Sequence, residues 1–180
     1  MVIACLGWGS LIWDPKNLPV QEPWFKDGPL LRVEFARQSA NGRLTLVIEP
    51  TAPEVTSLWA ILTVENIAQA RKALMTREGT SKSEYVAGWT VGEEAPAVIP
   101  TLPIWAVAHG IEGVVWTALP AKFEGTERAP TVDEAVNYLG GLKDNARIEA
   151  EKYIRQAPRQ INTPYRRKFV EELGWECAEQ

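Results

Sequence analysis

Apolar residues come in short runs and alternating stretches over the first two thirds of the chain, and at helical spacing over the last third. Residues 2–6 form a compact hydrophobic run, and residues 30–39 alternate apolar and polar side chains. Ala40-Asn41-Gly42 then supplies a turn into residues 43–49, which predicts a β-hairpin. Residues 55–64 predict a further strand. The period changes at Glu65: over residues 65–76, Ile67, Ala70, Leu74 and Met75 share one face, so an amphipathic helix is expected, ending near Gly79. Residues 85–91, 104–108 and 113–119 predict three more strands, separated by Pro- and Gly-rich loops.

Beyond residue 130 the signals are helical. Thr131, with Glu134 three residues on, reads as a capping box opening a helix through Leu142. Asp144 starts another to about Gln156, and Thr163-Pro164 opens a last one ending near Gly174. Strands first, one helix inserted among them, and helices at about 131–174 predict an α+β fold with a curled, largely closed mixed sheet or small barrel. Regular βα alternation, which a doubly wound sheet requires, is missing. A length of 180 residues suits a single domain spanning 1–180.

Charge narrows the function classes. Nineteen basic against 23 acidic residues give a net charge of −4, which argues against a nucleic-acid-binding surface spread over the whole molecule and leaves room for a local basic patch. Lys152, Arg155, Arg159, Arg166, Arg167 and Lys168 cluster late in the chain, where a solvated helical face is the expected role and contact with an anionic substrate tail the alternative. Cys5 and Cys177 are the two cysteines and His109 the one histidine. No metal-ligand cluster or disulfide framework can be assembled from them, and a reducing, cytoplasmic location is expected. The first apolar run is too short for a membrane span or a signal sequence. Of eight tryptophans, Trp59, Trp89, Trp105 and Trp116 fall in strand-like segments and are expected in the core. Trp8, Trp13 and Trp24 are better placed to line a pocket.

The candidate chemistry begins directly after the first strand. Gly7-Trp8-Gly9-Ser10 leads into Leu11-Ile12-Trp13-Asp14-Pro15. Glycines at 7 and 9 are expected to allow positive φ, so that amide N–H groups converge on a carboxylate or a phosphate. The run lacks the G-x-G-x-x-G spacing of a dinucleotide fingerprint and the Gly-Lys-Ser/Thr close of a phosphate loop. A second group, Arg77-Glu78-Gly79, lies where the amphipathic helix ends. A helix C-terminus disfavours negative charge, which is the setting expected for a carboxylate that exchanges protons near neutral pH.

Together these motifs resemble the γ-glutamylcyclotransferase-like family, most closely its ChaC-type, glutathione-degrading branch. Trp8-Gly9-Ser10-Leu11-Ile12-Trp13-Asp14-Pro15 is similar to that branch's signature after strand one, with tryptophan in place of the usual tyrosine. Arg77-Glu78-Gly79, followed by Tyr85 and Val86, resembles the segment carrying the family's catalytic glutamate. Asn162-Thr163-Pro164-Tyr165 is similar to a segment that opens a C-terminal helix.

The resemblance implies release of 5-oxoproline from a γ-glutamyl amide or peptide, the substrate's own α-amine attacking its γ-carbonyl. Glu78 would serve as general acid and base. Gly7, Trp8, Gly9, Ser10 and Leu11 would hold substrate, together with Tyr85 and Tyr165, for which Tyr138 is the rival. No cofactor or metal is implied, and a small molecule is the expected partner. A relative acting on a γ-glutamyl amine or another acyl-amine conjugate, and a non-catalytic binding module on the same fold, are the alternatives.

Overall fold

In the computed structural model, which describes residues 1–178, the chain has an α+β architecture and divides into two compact units. One comprises residues 1–31 and 56–119, the other residues 32–55 and the chain from 120 onward. The expected β content is shared between a five-stranded and a three-stranded sheet.

The first unit is built on β1 (Ile3–Gly7), every residue of which is buried. This follows from its unbroken apolar sequence, suited to a strand covered on both faces. Its neighbours are β6 (Leu58–Leu62), antiparallel, and β8 (Gly113–Thr117), parallel. Outside these lie β2 (Val20–Phe25) and β7 (Val86–Thr90), giving the order β2-β6-β1-β8-β7. α1 (Ile67–Glu78) packs on β7 and β8. Ala70 and Leu74 enter a core with Ile3, Cys5, Leu62, Val86 and Val115. Full burial of a leucine such as Leu74 contributes about 1.5–3 kcal/mol. Asn66 caps α1 by accepting from the Gln69 amide, and Gly79 ends it at φ 66°, a conformation that glycine takes without steric cost. Arg71 ties the helix to the sheet by donating to the Val86 carbonyl at 2.8 Å.

Two elements here differ from the sequence reading. Residues 104–108 belong not to a strand but to a helix, α2 (Leu102–Ala108), with Pro103 in its first turn. Leu102, Trp105 and Ala106 are its buried side, while Ile104 and Val107 are exposed. A seven-residue helix that is apolar all round shows no period, so only β-branched content remained to be read. β2 is not marked in the sequence because Pro19 precedes it, Pro23 interrupts it and most of its residues are exposed. A strand at the end of a sheet tolerates proline, since the missing N–H faces no neighbour.

The strand expected over 55–64 is broken at Ser57, which separates β5 (Glu54–Thr56) from β6. The Ser57 hydroxyl donates to the Pro29 carbonyl at 2.7 Å. Its own carbonyl accepts from the Gly28 amide at 3.0 Å.

Aromatic residues of this unit gather on Asp27. Its carboxylate accepts from Trp59 Nε1 at 2.9 Å and meets His109 Nε2 at 3.2 Å, and its carbonyl accepts from Trp105 Nε1 at 2.8 Å. The Trp59 bond, with a smaller contribution from His109, holds the Asp27 carboxyl below its usual range. His109 ends α2 rather than a strand, its ring stacked on Trp105. Trp59, Trp89, Trp105 and Trp116 are all buried, in keeping with the core role expected of them.

The second unit holds the hairpin of β3 (Leu30–Gln38) and β4 (Leu44–Ile48), joined through Gly42 at φ 79°. β5 completes a sheet of order β4-β3-β5. Three helices follow: α3 (Val132–Gly141), α4 (Asp144–Gln156) and α5 (Pro164–Leu173). The capping box at Thr131 and Glu134 is formed in full. Phe35 packs edge-on against Tyr153 of α4 and Phe169 of α5. Buried Arg166 donates to the carbonyls of Ile154, Ala157, Pro158 and Ile161. It thereby satisfies the acceptors left open where α4 ends and the chain turns toward α5.

Candidate functional site

Parallel strands end on the same side of a sheet. With Cys5 opposite Val115, the loop after β1 and Thr117 at the end of β8 emerge together at the carboxyl ends of the two central strands. That is where open α/β sheets carry ligands. The loop makes one tight turn: the Gly9 carbonyl accepts from the Ile12 amide at 3.1 Å and the Ser10 carbonyl from the Asp14 amide at 2.8 Å. Among the described residues no protein acceptor takes the amides of Gly9, Ser10 or Leu11. Three consecutive open donors suit a carboxylate.

Gly7 and Gly9 are not among the glycines at positive φ, contrary to the expectation for this loop. Gly7 is the last residue of β1 and is needed for close approach. A Cβ there would lie 2.6 Å from Trp24 Cζ3 and 3.3 Å from Ile12 Cγ1. Trp24 thus packs over the backbone from β2 and supports the loop from below. Trp8 and Leu11 are buried, Ser10 is half-buried, and Trp13 is partly exposed.

Glu78, the final residue of α1, meets the loop through Arg77. The Arg77 side chain, 7% exposed, donates Nη1 to Glu78 Oε1 at 3.0 Å. Its Nη2 donates to Ser10 Oγ at 3.1 Å and to the Asp14 carbonyl at 2.7 Å. One planar guanidinium therefore spans from the glycine loop to the carboxylate, a geometry that lysine lacks. Thr117 donates its hydroxyl to the same Oε1 at 3.2 Å. Both bonds fall on Oε1, and among the described residues none reaches Oε2. The Glu78 side chain is 12% exposed, with one oxygen anchored and the other without a described donor.

Cys5 lies beneath this group. Burial first, and the Glu78 charge second, push its thiol up to about 12, with Arg77 opposing. At neutral pH the thiol stays protonated and supplies no nucleophile.

The other sequence candidates have these places. Tyr85 closes a single 3-10 turn before β7, and its hydroxyl accepts from Lys82 Nζ at 3.2 Å while the ammonium lies 4.9 Å from its ring centre. Tyr165, in the second unit, donates its hydroxyl to the Pro130 carbonyl at 2.6 Å. Tyr138 donates to the Gly42 carbonyl, also at 2.6 Å, and so fastens α3 to the hairpin turn. Both hydroxyls therefore hold main chain in place. Among the described residues no cluster of His, Cys, Asp and Glu could hold a metal ion, and no helix is long and apolar enough to cross a membrane.

One site residue, Thr117, and the reach of a second, Arg77, are not marked in the sequence. Thr117 is 39 residues from Glu78, and nothing local marks it; only the parallel β1–β8 register brings it in. Arg77 was visible as a motif neighbour, but its reach back to Ser10 and Asp14 was not.

No protein-family model matches the chain, and no curated protein matches it. Among solved structures it is similar to a yeast γ-glutamyl cyclotransferase specific to glutathione, with 15% identity over 97% of this chain and 98% of that one, at a TM-score of 0.47. The selenomethionine-labelled form of a yeast enzyme so described is similar at 13% identity, over 99% and 98% of the two chains, with a TM-score of 0.45.

Proposed function

We propose that the protein is an enzyme of γ-glutamylcyclotransferase type, which releases 5-oxoproline from a small γ-glutamyl amide or peptide. The observation that carries this reading is the Arg77 guanidinium bonded on one side to Ser10 and Asp14 and on the other to Glu78. It joins an open amide loop to a carboxylate with one free oxygen. The reaction needs those two parts: a clamp for the substrate α-carboxylate and a group that moves a proton.

In this scheme the amides of Gly9, Ser10 and Leu11 hold the α-carboxylate. Glu78 Oε2 takes a proton from the α-ammonium, whose nitrogen then attacks the γ-carbonyl carbon. The ring C–N bond forms, and the bond to the leaving nitrogen breaks as Glu78 returns the proton to that nitrogen. Glu78 then takes the second proton from the ring nitrogen and passes it to the departing amine, which leaves as an ammonium. Well-oriented intramolecular attack reaches effective molarities of roughly 10⁵ M or more. A placed acid and base adds about 10²–10⁴-fold. Folding the substrate over the loop is thus the larger share of the catalysis. Trp8 stands where the resembling signature has tyrosine and offers a donor-only indole in its place, so the substrate panel includes γ-glutamyl amines as well as peptides.

The test is incubation with a panel of γ-glutamyl peptides and amines, following 5-oxoproline by mass spectrometry. At least one member is cyclised, and Glu78→Gln reduces turnover by about 10²-fold or more. Cyclisation of no panel member, or full activity of the Gln variant, overturns the reading.

A further inference from the structure

Of the six basic residues clustered late in the sequence, several are already engaged. Arg155 is paired with Glu151, and Lys168 with Glu171 and Glu172. Arg159, Arg166 and Arg167 have no carboxylate partner among the described residues. These three converge. They line a cleft of about 300 Å³ in the second unit, together with Asn162, Val170 and Cys177. In a chain of net charge −4, the described residues that line this cleft include three guanidinium groups and no acid.

The three have different roles. Arg166 is buried, and its two terminal nitrogens are spent on four main-chain carbonyls, so it supplies charge to the cleft and no hydrogen bond. Arg167 donates Nη1 to the Asn162 carbonyl at 2.9 Å, which steadies the side chain and leaves its other donors open. Arg159 is exposed, with no bond to a described residue. Burial pushes Arg166 down, Cys177 opposes it, and the charge of Arg159 adds a smaller push in the same direction as burial. Guanidinium forks match oxyanions bidentately, and a monoester phosphate carries close to two negative charges and three acceptor oxygens.

We propose that this cleft binds a small phosphomonoester, its phosphate held by Arg159 and Arg167 above the charge of Arg166, its organic part lying against Val170. A volume of about 300 Å³ exceeds the need of phosphate alone and leaves space for an organic group.

Isothermal titration of the full chain with phenyl phosphate, inorganic phosphate and malonate tests the proposal. Phenyl phosphate binds saturably and more tightly than inorganic phosphate, and malonate more weakly than either. Arg159→Gln with Arg167→Gln lowers phenyl phosphate affinity by about tenfold or more, the loss expected on removing charge-assisted hydrogen bonds. Lys152→Gln, which removes an exposed charge outside the cleft lining, leaves affinity unchanged. Melting curves of both variants show that each is folded. Absence of binding, unchanged affinity in the folded double variant, or malonate binding as tightly as phenyl phosphate overturns the proposal. These measurements do not involve 5-oxoproline, so their outcome is independent of the proposed reaction.

Discussion

Glu34 of β3 is a carboxyl group only 3% exposed. It accepts from the Phe35 amide at 2.9 Å, from the Thr163 hydroxyl, and from the Tyr165 amide at 3.4 Å. Those bonds and the Arg167 charge favour the ionised form, but burial outweighs them and raises the group from 4.5 to about 7. The folded state therefore holds this proton more tightly than the unfolded chain. Between pH 4.5 and 7 the folded state binds more protons, so stability falls as pH rises through that window, and the loss is complete above it.

A shift of this size corresponds to about 3 kcal/mol, most of which falls between pH 5 and 8.5. Glu34→Gln keeps the shape and an acceptor oxygen while removing the charge. Urea unfolding of both proteins at pH 5 and pH 8.5 isolates this group from the others that titrate. The Gln variant gains stability relative to the parent by about 2–3 kcal/mol between the two pH values. A constant difference between the proteins, or a parent favoured at high pH, refutes the reasoning.

Gly7→Ala forces a methyl group against Trp24 and Ile12; calorimetry should show a loss of about 1–3 kcal/mol with the fold retained, and an unchanged melting temperature contradicts the packing described. Arg77→Lys keeps the charge but cannot bridge Ser10, Asp14 and Glu78 at once. On the proposed reaction it lowers kcat by about tenfold or more, and a variant turning over like the parent shows that the bridge is not needed. Of the two thiols in the chain, Cys5 resists alkylation at pH 8 in the folded protein, because burial holds it protonated with a value of about 12. Labelling quantified by mass spectrometry with and without denaturant checks this, and rapid labelling of Cys5 in the native protein refutes it.

Local chemistry wrote much of this protein into its sequence. The capping box at Thr131, the glycine stop after Glu78 and the hairpin turn at Gly42 each depend on a few adjacent residues, so each was legible in place. The first strand and the period of α1 were equally clear, since burial on a regular element imposes a regular pattern. The helix over Leu102–Ala108 was not legible, because a short segment apolar on every side has no period. The proline-interrupted strand β2 was hidden for the complementary reason, an exposed strand having no apolar face to display.

At the site, the sequence placed Ser10 and Glu78 on the correct local elements, but neither Gly9 nor Gly7 takes the positive φ expected of it, and for Gly7 the cause is another. Its small size answers to Trp24, a neighbour in space rather than in sequence. Thr117 and the span of Arg77 across the loop exist only once β1 and β8 run parallel and α1 lies over them. Periodicity and caps are settled within a turn or two of chain. Which donors meet a carboxylate is settled by sheet register, and register depends on contacts between residues more than a hundred positions apart.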